Sequence, residues 1–316
     1  MNIAGPNNQQ KLIARVLTLH FQEGLSQAEI ASNMDLSTAK VNRLIKQGRE
    51  LGMVEFIIHS PYQRLFELER AIKERWNLDD CVVVESVTGS AENTLDLVGK
   101  AAAEYIAKTV NDGGVIAISG GKAVSAIANN LDASEDVPCT VLPLTGGVQS
   151  QHYTDVNHLA TRLAEGLGGE AVLLHAPLHS DTLAERDLLM SVRTVRETME
   201  RAANADIAVF GVGSVEGDDA TYYEAYPLSN EERKGLYETG VRSEFLGHLI
   251  DESGALCDVD LNSRLVSLPL SQAKQIPCRM GVVSGLAKAE PVNAALNGGY
   301  LSMLVIDDEA AQALLG

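Results

Sequence analysis

The chain has 316 residues, of which 45% are hydrophobic and 22% charged, an ordinary globular composition that is long enough for one or two domains. It contains no apolar run of about 18 residues and no secretory-type N-terminus, so we predict neither a membrane span nor an export signal. The four cysteines are widely spaced without a CxxC pair, which indicates free thiols and a cytoplasmic location.

The net charge of −18 is distributed unevenly along the chain. Residues 1–60 carry six basic and five acidic side chains, whereas residues 61–316 carry 19 basic and 38 acidic ones. Because DNA is a polyanion, only the first sixty residues can approach it without a large electrostatic penalty. We therefore predict two domains, 1–60 and 61–316, and assign any contact with DNA to the first.

The first sixty residues contain the signals of three helices. After a helix over 11–22, Ser26 and Glu29 have the spacing of a capping box and open a second helix. Ser37 is a second N-cap, and the helix that it opens ends near Gly52. Two short capped helices separated by about three or four residues are typical of a helix-turn-helix.

The third of these helices has the pattern of a DNA-recognition helix. Val41, Leu44 and Ile45 form its inward stripe, which leaves a polar outward face for base edges and phosphates. Arg49, near its end, is predicted to contact a phosphate, and 54–58 is predicted to be a strand that forms a wing. The predicted DNA-binding residues are Ser26, Gln27, Ser37, Thr38, Lys40, Asn42, Arg43 and Lys46. The alternative is a small helical subdomain with a solvated basic face, which charge alone does not exclude.

From residue 80 onward, apolar runs alternate with helical patterns, after a connecting or dimer-contact helix over 63–76. Such runs joined by helices are typical of an α/β domain whose parallel sheet is covered on both faces. The predicted strands are 82–84, 115–118, 140–144, 171–174, 207–212, 281–283 and 301–306. The predicted helices include 93–109, 122–131, 157–166, 187–203 and 291–297.

Four of the predicted strands end in glycine-rich loops: SGGK at 119–122, TGG at 145–147, GVGS at 211–214 and SGLAK at 284–288. Glycines let backbone amides approach an anion, and the N-terminus of a following helix adds partial positive charge. Tight packing of helix on strand also favours glycine, so a single loop is weak evidence, whereas four loops favour a phosphate-sized ligand. The residues predicted from these loops to contact a ligand are Gly120, Gly121, Lys122, Thr145, Gly146, Gly147, Gln149, Gly211, Gly213 and Lys288.

Motifs along nearly the whole chain carry a family resemblance: LSQAEIA at 25–31, RLI at 43–45, LPLTGG at 142–147, AVFGVG at 208–213, VSGLAK at 283–288, AALNGGY at 294–300 and LVIDDE at 304–309. These motifs resemble those of the SorC family of sugar-responsive transcriptional regulators. The resemblance implies a large domain with a fold similar to ribose-phosphate isomerase and glucosamine-phosphate deaminase. It also implies a sugar, sugar phosphate or polyol effector and adds Glu244 to the effector-binding residues.

The sequence departs from the family pattern in both domains. Gly120 stands where relatives have Trp, and Lys122 and Ala123 stand where they have hydroxyl residues that hold a phosphate. Thr145 replaces a lysine that forms a Schiff base in relatives resembling the deoxyribonucleoside regulator. The outward residues Thr38, Lys40 and Asn42 of the predicted recognition helix also differ from the residues usual in the family. Neither the effector nor the operator sequence is therefore transferable from a relative.

The sequence thus predicts a regulator whose affinity for double-stranded operator DNA changes when an effector binds. A lone helix-turn-helix reads only a few base pairs, so a homodimer or homotetramer is expected. We predict no cofactor, no bound metal and no catalytic residue. The alternative is a sugar-phosphate isomerase or deaminase-like enzyme with an N-terminal interaction module, which would need a positioned carboxylate base such as Glu244 or Asp181.

Overall fold

The computed structural model describes residues 6–56, 60, 62–131, 137–148, 155–216, 226 and 228–316. The chain divides into two compact units, an N-terminal unit Met1–Gln63 and a C-terminal unit Arg64–Gly316. Among the described residues, no helix is long and apolar enough to cross a membrane.

The N-terminal unit contains the predicted three helices, α1 (Pro6–Leu17), α2 (Gln27–Asn33) and α3 (Thr38–Glu50). A π-helical turn, Thr18–Gln22, extends α1. A Cβ atom on Gly48 would lie 2.6 Å from a methyl carbon of Leu17, so the absence of a side chain there lets α3 pack closely on α1. The fully or largely buried core of the unit consists of Ile13, Val16, Leu17, Leu19, Ile30, Ala31, Val41, Leu44 and Ile45.

Both predicted helix caps are confirmed. The backbone amide of Glu29 donates to Ser26 Oγ at 3.3 Å, and the amide of Ser26 donates to the Glu29 carboxylate at 2.8 Å. Ser37 Oγ accepts from the amide of Lys40 at 3.2 Å. These bonds satisfy amides that have no partner inside the helix, and they fix where α2 and α3 begin.

The prediction of a wing strand over 54–58 is wrong for the residues of it that the structure describes. Residues 53–56 have no regular secondary structure, and the rest of the prediction lies outside the described residues. The Phe56 ring packs edge-on against Phe21, with the ring centroids 5.0 Å apart. Attraction between these aromatic rings therefore holds the segment, rather than pairing with another strand.

The C-terminal unit is built on a parallel sheet of seven strands in the order β1-β9-β8-β5-β2-β3-β4. Each of the seven predicted strands is present; β2 has the predicted bounds, and the other six differ at one or both ends. The second sheet, an antiparallel hairpin of β6 and β7, was not predicted. The strands are β1 (Asp80–Val84), β2 (Val115–Ile118), β3 (Thr140–Pro143), β4 (Glu170–Ala171), β5 (Ile207–Gly211), β6 (Ser243–Phe245), β7 (His248–Ile250), β8 (Cys278–Val283) and β9 (Met303–Asp307).

Alternate residues of the central strands enter two separate cores. Ile207 and Val209 of β5 face one core, whereas Ala208 and Phe210 face the other. Because both faces of the sheet are covered, the strands are apolar along their whole length, which is why continuous apolar runs predicted them. At the edge of the sheet β4 is only two residues long, and the predicted extension to residue 174 is wrong. The chain turns away from β3 before Leu174. The Leu174 amide donates to Asn157 Oδ1 at 2.8 Å and not to a carbonyl of β3.

The predicted helix over 187–203 is two helices, Leu183–Ser191 and Arg193–Ala203. They are separate because Val192 has an extended ψ of 128° that interrupts the hydrogen-bond ladder. The helices at 230–238 and 308–315 were not predicted. The helices of this unit are α4 (Gln63–Trp76), α5 (Ala91–Thr109), α6 (Lys122–Asn130), α7 (Val156–Leu167), α8 (Leu183–Ser191), α9 (Arg193–Ala203), α10 (Asn230–Glu238), α11 (Asp260–Ser263), α12 (Leu270–Ala273), α13 (Ala289–Asn297) and α14 (Asp308–Leu315), with a 3-10 turn at Leu286–Lys288.

Candidate functional site

The outward face of α3 is polar and accessible. Val41, Leu44 and Ile45 are buried, as the stripe predicts. Of the predicted DNA-binding residues, Gln27 is half-buried, and the exposed ones are Ser26, Ser37, Thr38, Lys40, Asn42, Arg43 and Lys46. The first two turns of α3 therefore present hydrogen-bonding side chains to solvent, as base readout in the major groove requires.

The four cations of α3 have different surroundings. The guanidinium of Arg49 lies beside two aromatic rings that contact each other, 5.6 Å from the centroid of Phe21 and 5.3 Å from that of Phe56. Lys46 forms an ion pair with Glu50 at 3.9 Å. Among the described residues, Lys40 and Arg43 have neither a side-chain hydrogen bond nor an ion pair. The aromatic partners of Arg49 were missed because Phe21 and Phe56 are far from it in sequence.

The four glycine-rich loops lie side by side in the C-terminal unit. They follow β2, β3, β5 and β8, which are neighbours in the order β8-β5-β2-β3. Since all four strands are parallel, their carboxyl ends meet at one edge of the sheet. Ligands of open parallel sheets bind at this edge.

The loop after β2 has the features of an anion site. Gly121 is the N-cap residue of α6, has a φ of +111°, and offers no side-chain cap to the first-turn amides of that helix. Lys122 follows and is exposed. The buried Ser119 hydroxyl accepts from the Gly211 amide at 3.1 Å and donates to the Gly120 carbonyl at 3.1 Å, which joins this loop to the end of β5.

The loop after β3 is occupied by backbone contacts. The amide of Gly146 donates to the Val266 carbonyl at 2.8 Å, and that of Gly147 donates to the Ala176 carbonyl at 2.9 Å. A Cβ atom on Gly146 would overlap the backbone of Pro177. Gly146 therefore serves close packing, and the amides of both glycines are already paired with backbone carbonyls. Thr145 is buried beside them, and Gln149 lies outside the described residues.

The loop after β5 contacts an acidic side chain on the hairpin. Gly213 and Glu244 exchange two backbone hydrogen bonds of 2.9 Å, and a Cβ atom on Gly213 would overlap the Glu244 carboxylate. Glu244 Oε1 accepts from the Gly247 amide at 2.5 Å. Burial raises the pKa of Glu244, while the Gly247 amide and the positive charge of Lys288 lower it. The structure thus brings Gly213, Glu244 and Lys288 together from three segments.

The loop after β8 is held by a buried aspartate that the sequence did not mark as functional. The amide of Gly285 donates to Asp307 Oδ2 at 2.6 Å, and the Ser86 hydroxyl and the Ala310 amide donate to Oδ1 at 3.1 and 3.0 Å. Asp307 ends β9 and caps α14. An acid at a strand end, three residues before a helical amide, is the signal that would have found it.

Two cavities of this unit lie away from the glycine-rich loops. One of about 460 Å³ is lined by Arg242, Asp251 and Asn297 among others, and one of about 380 Å³ by Phe66 and Lys73 among others. Neither includes a glycine-rich loop. No cluster of three or more potential metal ligands occurs in the described part of the chain.

A helix-turn-helix unit joined to an α/β unit with loops of this kind defines a DNA-binding protein with a ligand-binding domain. Residues 60–316 match the family described as "Putative sugar-binding domain", and the chain belongs to this family. Residues 14–51 match region 4 of sigma-70, in agreement with the helix-turn-helix.

Similar proteins have the same organisation over their whole length. The sorbitol operon regulator of Klebsiella pneumoniae is 27% identical over 312 residues, which are 96% of this chain and 98% of the relative. The deoxyribonucleoside regulator of Bacillus subtilis is 26% identical, with 97% and 98% covered. The crystal structure of full-length SorC from Klebsiella pneumoniae has a TM-score of 0.74 at 26% identity and covers 97% of this chain and 99% of that one. The predicted SorC resemblance and fold class are confirmed.

Proposed function

We propose that this chain is a transcriptional regulator of a carbohydrate or polyol operon, whose binding to operator DNA is controlled by a sugar, sugar phosphate or polyol. The observation that carries the proposal is the coexistence of an accessible recognition face on α3 with glycine-rich loops on four neighbouring strands. The relatives support this class of effector, since one is named for sorbitol and another for deoxyribonucleosides.

The loop after β2 supports a phosphorylated effector. The uncapped first turn of α6 provides backbone amides and the positive end of the helix dipole, and Lys122 adds a full charge. Glu244, on the neighbouring hairpin, offers carboxylate oxygens to sugar hydroxyls. Since Thr145 replaces the Schiff-base lysine of some relatives, the effector is bound without a covalent bond.

A thermal-shift screen tests the effector site. A phosphorylated sugar at about a hundred times its Kd is expected to stabilise the protein by about 2.7 kcal/mol, because it binds only the folded state. Lys122→Ala is expected to reduce this shift, whereas Lys108→Ala, which removes an exposed lysine of α5, leaves it unchanged. A screen in which only unphosphorylated compounds raise the Tm contradicts the phosphate site.

We further propose that the chain is not an enzyme. In this proposal it acts in the cytoplasm and binds DNA as a homodimer or homotetramer. Glu244 is the acid whose raised pKa would suit general acid–base catalysis, but one of its oxygens is held by the Gly247 amide. Asp181 is exposed on a loop, without the burial that tunes a catalytic base. Turnover of ribose phosphate or glucosamine phosphate by the purified protein would favour the isomerase or deaminase alternative.

A further inference from the structure

The outward stripe of α3 is defined by the side chains that are buried on its opposite side. With about 100° of rotation per residue, the buried positions Val41, Leu44, Ile45 and Gly48 lie on one side of the helix. Ala39 and Arg43 lie diametrically opposite, one turn apart, and both are exposed. Together with Lys46 and Glu50 further along the helix, these two residues point most directly away from the core of the unit.

Only some of the cations on α3 are available to a ligand. The Arg49 guanidinium packs beside the contacting rings of Phe21 and Phe56, and Lys46 forms an exposed ion pair with Glu50 at the C-terminal end. Because Glu50 lies on the same outward side and offsets the charge of Lys46, the C-terminal end of α3 adds little net positive charge. Arg43 is the arginine of α3 that has no partner among the described residues.

We propose that Arg43 reads a guanine and that Ala39 contacts the methyl group of a neighbouring thymine in the major groove. The fork of an arginine matches the O6 and N7 acceptors of guanine, and alanine is among the residues that contact the thymine methyl. A side chain as small as that of Ala39 also lets the first turn approach the base edges closely. This inference rests on the proposed function and specifies which bases the recognition helix reads.

The separation of the two residues predicts the spacing of the bases. One helical turn places Ala39 and Arg43 about 6 Å apart along the axis of α3. Base pairs stack about 3.4 Å apart, so the thymine and guanine lie within about two base pairs of each other. Lys40 lies to one side of the stripe, a position suited to a phosphate rather than a base.

Selection of bound duplexes from a random pool by the full-length protein tests the assignment. The enriched site is expected to contain the thymine and guanine at this spacing. Replacing the guanine by 7-deazaguanine, which removes N7, is expected to weaken binding about tenfold. Replacing the thymine by uracil, which removes one methyl group, is expected to weaken it about fourfold.

Variants separate base reading from charge. Arg43→Ala is expected to lose the guanine preference and to bind the guanine and 7-deazaguanine duplexes equally. Arg43→Lys, which keeps the charge but not the planar fork, is expected to lose most of the preference while keeping more of the affinity. Arg15→Ala, at an exposed position of α1, is expected to retain the enriched site.

The outcomes distinguish this inference from the proposed function. If the wild-type protein enriches no duplex, the proposed function fails. If it enriches a site but Arg43→Ala still prefers guanine, or uracil binds as well as thymine, the assignment of these two residues is overturned and DNA binding is not.

Discussion

Replacing Gly146 with alanine is expected to lower the free energy of unfolding of the C-terminal unit by about 3 kcal/mol. The added Cβ would overlap the backbone of Pro177. Hydrogen bonds from the Gly147 amide to the Ala176 carbonyl and from the Leu178 amide to the Gly147 carbonyl hold that backbone in place, and it is unable to rotate away as a side chain would. Denaturant unfolding followed by circular dichroism measures the change.

The matched control for this substitution is Gly235→Ala. Gly235 lies within α10, and a Cβ atom there would meet nothing within 4 Å. Because alanine has a higher helix propensity than glycine, this variant is expected to be more stable than the wild type by about 0.5 to 1 kcal/mol. Equal stability of the two variants would show that Gly146 does not serve close packing.

Acidification from about pH 7 to about pH 5 is expected to destabilise the C-terminal unit by about 2 kcal/mol through His248 alone. Burial, opposed by the hydrogen bond to the Leu268 carbonyl and assisted by the charge of Arg186, lowers the pKa of His248 to about 4. Burial likewise lowers the pKa of His179 to about 4, assisted by the charges of Arg264 and His248. The unfolded chain takes up these protons near pH 6.5, the ordinary histidine value, so stability falls as the pH drops from there towards 4.

Substitution isolates the histidine contribution from that of the acids. Glu244 acts in the opposite direction, because its raised pKa makes the folded state take up a proton first as the pH falls. His248→Asn is expected to lose less stability than the wild type over this pH range, whatever its stability at neutral pH. His175→Asn, at an exposed position, serves as the control. Identical pH dependence of His248→Asn and wild type would contradict the assignment.

Features determined by neighbouring residues were predictable from the sequence. The capping box of Ser26 and Glu29 closes over three residues, so its residues alone fix where α2 begins. The central strands of the main sheet were also predictable, because burial on both faces makes them continuous apolar runs, unlike the short edge strand β4. Their shared direction then placed the four glycine-rich loops at one edge.

Features that depend on distant partners were not predictable. The glycines of the TGG loop have the same composition as an anion-binding loop, but the amide of Gly146 is paired with Val266, far along the chain. Likewise, the hairpin that carries Glu244 has short strands without a strong periodic pattern, and it is positioned by its bridge to Gly213. The aromatic contacts of Arg49 depend on how Phe21 and Phe56 fold against α3, and charge counting does not reveal them.

The most direct test of ligand-controlled DNA binding is the affinity of the full-length protein for its selected duplex, with and without the effector identified by thermal shift. The measurement is fluorescence anisotropy at fixed salt, since salt alone changes affinity for DNA. We predict specific binding whose Kd changes at least about fivefold at saturating effector, with the duplex changing the effector Kd by the same factor. A Kd that is the same with and without a bound effector, or the same for selected and scrambled duplexes, would contradict the proposed function.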